Sequence, residues 1–217
     1  MFPIVRRRPV ALLLVLACGV SCRRLPAEPA VPIVQPGAPG KPGRVISARQ
    51  ASDLSQLRYT AAEARFMQGM IGHHLQALEM TALLATRTAD DGLRLLAKRI
   101  EISQTDEIEM MRDWLTARGE ALPDPHAHHA PGAVLMPGML TATEMQRLAD
   151  VKGAEFDRLF LESMIRHHDG ALVMVDSLFS SAGAGQQSDI FAFASDVEVD
   201  QRMEIDRMSA MLKEHQR

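Results

Sequence analysis

The chain has 217 residues with 24 basic and 27 acidic side chains, a net charge of −3, and no basic stretch of the kind that would point to a nucleic-acid partner. Aromatic residues make up only 4% while Met occurs 14 times, a composition that leans towards helix because strands favour aromatic and β-branched side chains. Both cysteines, Cys18 and Cys22, lie near the N-terminus, which excludes a disulfide framework or a thiolate metal site in a domain further along.

Residues 1–17 read as a targeting signal. Arg6, Arg7 and Arg8 form a positive start, and residues 10–17 are a short apolar run, too short to cross a bilayer as a helix. The run closes on Val15-Leu16-Ala17-Cys18, which looks like a bacterial lipoprotein cleavage box. On that reading Cys18 is the lipidated first residue, with Cys22 as the other candidate, and the chain is exported to the periplasm or anchored in a membrane by its lipid. An ordinary secretory signal is the plainer alternative. Cleavage would remove three of the 24 basic residues and no acid, leaving 21 against 27 and a net charge of −6. Residues 18–52 read as a tether. Pro26, Pro29, Pro32, Pro36, Pro39 and Pro42 recur with Gly37, Gly40 and Gly43, and such a segment is extended and buries no core.

A helical period begins near residue 53, so the domain is expected over 53–217. Four long helices are expected at about 61–87, 90–117, 154–180 and 187–214. Thr60 and Glu63 have capping-box spacing before the first, and Gly119 and Pro123 stop the second. Thr141 and Glu144 repeat the capping spacing and predict a short helix, while Gly183 and Gly185 separate the last two long ones. Residues 119–141 form a connection rich in Pro, Gly and His.

The chain repeats itself. Residues 66–80 align with 160–174, pairing Phe66 with Phe160, Met70 with Met164, Ile71 with Ile165, His73 with His167 and His74 with His168. Ala77, Leu78 and Met80 pair with Ala171, Leu172 and Met174. Further on, Gln104, Glu107, Ile108 and Met111 match Gln201, Glu204, Ile205 and Met208. Two copies of one helical hairpin predict an all-α four-helix bundle.

At about 100° per residue, Phe66, Met70, His73, His74, Ala77, Leu78 and Met80 share one arc of the first helix, and Gln68, Gly69, Gly72, Gln76 and Glu79 the opposite one, which in the second copy carries Glu162, Ser163, Arg166, Asp169 and Gly170. Both histidines therefore belong to the inward face. Glu107 sits amid Leu93, Ile100, Met111 and Trp114, and Glu204 among Val197, Met208 and Met211. A carboxylate there is costly unless paired. The interior is thus offered His73, His74, His167, His168, Glu107 and Glu204, with Met70, Met80, Met111, Met164, Met174 and Met208.

A buried polar layer that fixes the register of the bundle is the plain reading of the His and Glu residues, and core filling that of Met. Paired imidazoles flanked by thioethers point further, to a soft metal: Cu(I) or Cu(II), with silver or zinc as alternatives. Thioethers also survive as ligands in an oxidising compartment. His126, His128 and His129 in the connection, near Met136 and Met139, form a candidate auxiliary metal tract.

The segment Phe66-Met67-Gln68-Gly69-Met70-Ile71-Gly72-His73-His74 and its second copy ending in Met164-Ile165-Arg166-His167-His168 resemble the domain-of-unknown-function family 305. The Met136-Pro137-Gly138-Met139 turn and both Glu-Ile-x-x-Met stretches resemble it too. The resemblance implies a ferritin-like four-helix bundle in an exported, mostly bacterial group, some of whose members look like periplasmic copper-binding proteins. The expected function is copper sequestration, tolerance or transfer in the cell envelope, without catalysis. The alternatives are an interaction or stress-response module with a structural His/Glu layer, and a redox metalloenzyme. A ferritin-like di-iron site needs Glu-x-x-His, and Met70, Ile71, Met164 and Ile165 stand where those Glu residues belong. A homo-oligomer or an envelope partner that receives the metal stays open.

Overall fold

The computed structural model describes residues 32–35, 37, 42–51, 59–130 and 132–215. The leader, Cys18, Cys22 and the expected domain start at residue 53 lie outside them. Within the expected tether, Ile33–Gln35 (β1) pairs antiparallel with Arg44–Ile46 (β2), Val34 opposite Val45. β-Branched residues in both segments allow this short ladder, which a reading based on proline content alone does not foresee. A single helical turn, Ala48–Ala51 (α1), follows.

The bundle consists of Ala61–Ala82 (α2), Asp91–Ala117 (α4), Ala154–Ser180 (α6) and Ser188–His215 (α7). The expected helix over 61–87 breaks at Leu83, and Leu84–Arg87 (α3) is a separate turn. Ala142–Asp150 (α5) is the expected short helix. Both capping boxes form: Thr60 accepts from the Glu63 amide and Thr141 from the Glu144 amide, and each Glu carboxylate accepts from the amide of its cap residue. Glu63 also accepts from the Gly185 amide at 2.8 Å, which ties the α6–α7 turn to the start of α2. Among the described residues no helix is long and apolar enough to cross a membrane.

α2 packs on α4 and α6 on α7, and α2 against α6 joins the hairpins. The apolar interior falls into two clusters. One takes Phe66, Met70 and Ile71 from α2, Ile108, Met111 and Trp114 from α4, Ala171 and Val175 from α6, and Ile190 and Val197 from α7. The other takes Ala77 and Met80, Leu93 and Ile100, Phe160 and Met164, and Met208 from the same four helices. α4 therefore ends beside the first cluster and α6 starts beside the second. The connection between them has to run back along a bundle whose 27-residue helices are roughly 40 Å long, and one such long crossover is the ferritin-like topology.

That crossover lies on the arc of α2 and α6 expected to face outward. Gln68 donates to the Ala121 carbonyl, and buried Gln76 both accepts from the Leu140 amide and donates to its carbonyl. Arg166 pairs with Glu144 and holds its carboxyl well below the usual range. The Met136–Met139 turn approaches α6 so closely that a Cβ on Gly170 would stand 1.9 Å from the Pro137 oxygen. Gly138 adopts φ +77°, open to glycine at little cost. Alanine in place of a mid-helix glycine ordinarily stabilises by about 0.5–1 kcal/mol. Here the clash should win, and Gly170→Ala should lose about 1–3 kcal/mol in urea unfolding. Unchanged stability would mean that the turn is not pressed on the helix.

Candidate metal centre

Between the two apolar clusters every long helix contributes polar residues at one level: His73 and His74 from α2, Gln104 and Glu107 from α4, His167 and His168 from α6, Gln201 and Glu204 from α7. All four imidazoles are buried, at 0–1% exposure. His73 and His167 stack across the α2–α6 contact with centroids 3.8 Å apart, while His74 and His168 stand 6.3 and 6.2 Å from their chain neighbours.

The hydrogen bonds fix where the protons are. His74 Nε2 meets Glu107 Oε2 at 2.5 Å and His168 Nε2 meets Glu204 Oε2 at 2.6 Å. His73 Nε2 meets the Pro137 carbonyl at 3.0 Å. A carbonyl or carboxylate oxygen only accepts, so each Nε2 carries hydrogen and in the neutral ring Nδ1 presents a lone pair. Nδ1 of His73, His74 and His168, and both nitrogens of His167, are buried without a hydrogen-bond partner. Burial, reinforced by the neighbouring imidazole of His74, lowers His73 to about 3. Burial and the other three imidazoles hold His167 well below its ordinary value. These two rings are neutral at pH 7, the form that binds metal.

Sulfur flanks the layer on both sides. Met70 and Met164 lie one helical turn before His73 and His167, on the same helix faces, and Met111 and Met208 one turn after Glu107 and Glu204. Met70 and Met111 belong to the first cluster and Met164 and Met208 to the second. Met80 is buried in the second and Met174 is half-buried beside the first. The layer holds its imidazoles in pairs. Among the described residues, the only three His, Cys, Asp or Glu side chains whose ligand atoms all lie within 4.8 Å of one another are Glu79, His128 and His129, at the protein surface. His126 is exposed and its ring centroid is 6.0 Å from that of His129.

Gln104 and Gln201 were matched in the repeat but not foreseen in the site. Both are buried, with Gln104 Oε1 and Nε2 and Gln201 Oε1 unpartnered. Their recurrence beside Glu107 and Glu204 was the signal for them. Glu79 gave none, since helical periodicity places it on the outer arc. Between α4 and α7 an acidic groove of about 350 Å³ is lined by Asp106, Glu107, Asp196 and Asp200. Burial, then Glu107, Glu204 and Asp196, pushes the Asp200 carboxyl up. The groove therefore concentrates negative potential beside the carboxylate that holds His74.

The family model of DUF305, a domain of unknown function, matches residues 63–212. A DUF305 fragment from Deinococcus radiodurans is 30% identical, with a TM-score of 0.63 over 72% of this chain and 98% of its own. A DUF305 protein from Streptomyces coelicolor is 29% identical, with a TM-score of 0.62 over 71% of this chain and 93% of its own. CopM in its Cu(I)-bound form is 23% identical, with a TM-score of 0.56 over 72% of this chain and 98% of its own, and shares the fold. Cu(II)-bound and Ag-bound forms of CopM match as well. No curated protein matches the chain. The hairpin pair with its paired histidines, the crossover and the sequence match place this chain in the DUF305 family.

Proposed function

We propose that the protein binds copper in the cell envelope, for sequestration, tolerance or transfer, and that Cu(I) is held where the imidazole layer meets the thioethers. Nδ1 of His73, His74 and His168 and one nitrogen of His167 supply the imidazole donors. Met70, Met111, Met164 and Met208 supply sulfur from the adjoining turns, with Met80 and Met174 further along the same helices. Glu107 and Glu204 orient His74 and His168 through Nε2, the usual arrangement behind a metal-bound imidazole. The leader ending at Cys18 would export the chain and anchor it by lipid, and the acidic groove beside Glu107 would draw cations towards the layer.

The observation that carries this reading is the set of five buried imidazole nitrogens without a hydrogen-bond partner. A buried polar atom left unsatisfied costs about 1–3 kcal/mol. A layer that served only to fix register gains nothing from bearing that cost several times over. Paired imidazole with thioether, free of a carboxylate-dominated set, suits Cu(I) or Ag(I) better than Mg, Ca or Mn. CopM, which shares the fold, is known in Cu(I)-bound, Cu(II)-bound and Ag-bound forms. Anaerobic Cu(I) titration followed by urea unfolding tests the proposal. Free Cu(I) at a hundred times its dissociation constant should raise stability by about 2.7 kcal/mol. An unfolding curve that ignores Cu(I) and Ag(I) alike would reduce the layer to a structural one.

A further inference from the structure

We infer that Glu79, His128 and His129 form a second metal site of different chemistry, a surface site for a borderline divalent cation such as Zn(II) or Cu(II). It stands apart from the buried layer and does not depend on it. The crossover makes the site. Residues 127–129 form a single 3-10 turn, started where Asp124 accepts from the His126 amide at 2.8 Å. That turn brings the rings of His128 and His129 to a centroid distance of 4.0 Å. Both then converge on one carboxylate oxygen of α2. Glu79 Oε1 lies 3.2 Å from His128 Nε2 and 2.8 Å from His129 Nε2.

An ordinary ion pair does not account for this arrangement. Glu79 could neutralise one imidazolium, and the His129 side chain is 48% exposed, so that pair is worth little. The His128 side chain is only 7% exposed. In the metal-free protein each Nε2 donates to Glu79 Oε1. A cation entering between them would take the place of those hydrogens, with the ring proton moved to Nδ1, so that both Nε2 lone pairs and the carboxylate oxygen face one point. Two imidazoles and one carboxylate form a known zinc ligand set, with a fourth position left to water. The carboxylate favours a borderline divalent cation over Cu(I), which the buried layer suits, and Cu(II) should bind more tightly than Zn(II).

The test compares wild type, His128→Ala/His129→Ala and Glu79→Gln. Each is titrated with Zn(II) by calorimetry, with Co(II) by visible absorption, and separately with Ag(I) without oxygen. The Glu79 and His129 side chains are partly exposed while that of His128 is packed, so circular dichroism checks that each variant keeps the fold. The double variant is expected to bind one Zn(II) fewer than wild type and to lose the Co(II) ligand-field bands. Glu79→Gln should weaken that site by roughly tenfold or more, since even groups that only support a ligand matter on that scale. Equal Zn(II) stoichiometry and affinity in wild type and the double variant would overturn the site. All three proteins retain the buried layer, so a failure of Ag(I) to bind it is recorded separately from a failure of Zn(II) to bind here.

Discussion

His73→Leu/His167→Leu should lose Cu(I) affinity on the order of 100-fold or more while unfolding at the same urea concentration as wild type, or a higher one. The two predictions pull against each other unless the layer is a binding site. These rings stack at 3.8 Å and carry three of the unpartnered nitrogens. Leucine removes those atoms and fills similar space with hydrocarbon, which is often neutral or stabilising in a core. The offsetting loss is a single hydrogen bond, from His73 to the Pro137 carbonyl, set against the three unpartnered nitrogens removed. If the layer existed only for register, the same exchange would weaken the fold and leave metal affinity where it was. Competition with a Cu(I) chelator and a urea titration on one preparation separate the two outcomes.

The metal-free protein should become markedly less stable as pH falls below 6.5. His73 is lowered from 6.5 to about 3 and His167 lies well below its ordinary value. Below 6.5 the unfolded chain therefore binds protons that the folded chain refuses, so unfolding takes up protons and is favoured by acid. The stability is fully present above 6.5, declines through the acid range, and levels off only near the folded values. Each histidine costs up to about 1.4 kcal/mol per pH unit. Two of them over two units approach the whole stability of a small domain, about 5–15 kcal/mol. Urea midpoints at pH about 7, 6 and 5 would show the slope. The Leu/Leu variant should flatten it, and a flat wild-type profile would mean that the two rings already protonate in the folded state.

Helix positions were legible because the forces that set them are local. Thr60 and Thr141 cap where their spacing to Glu63 and Glu144 implies, and α6 spans 154–180 as its period predicts. Burial of all four histidines followed from the arcs, because the positions shared by both copies face the interior. The outer arc was misjudged at Gln76 and Gly170. Both read as solvent-facing, and both are buried beneath the crossover. Helical periodicity registers which side of a helix is apolar. It carries no record of a loop that returns to lie on the polar side through backbone hydrogen bonds. Glu79 was missed for the same reason, its two imidazole partners being 49 and 50 residues away.

Each apolar cluster draws side chains from all four long helices, and the polar level crosses all four as well. One hairpin alone would therefore possess half of two interiors and the whole of neither, with its histidine pair open to water. A chain with only one such hairpin would need a second copy to close either interior, a helix like α2 meeting its own twin ring against ring. Joining two such units through one crossover turns a concentration-dependent association into an intramolecular one. It also frees the linking segment to acquire chemistry that neither half possesses.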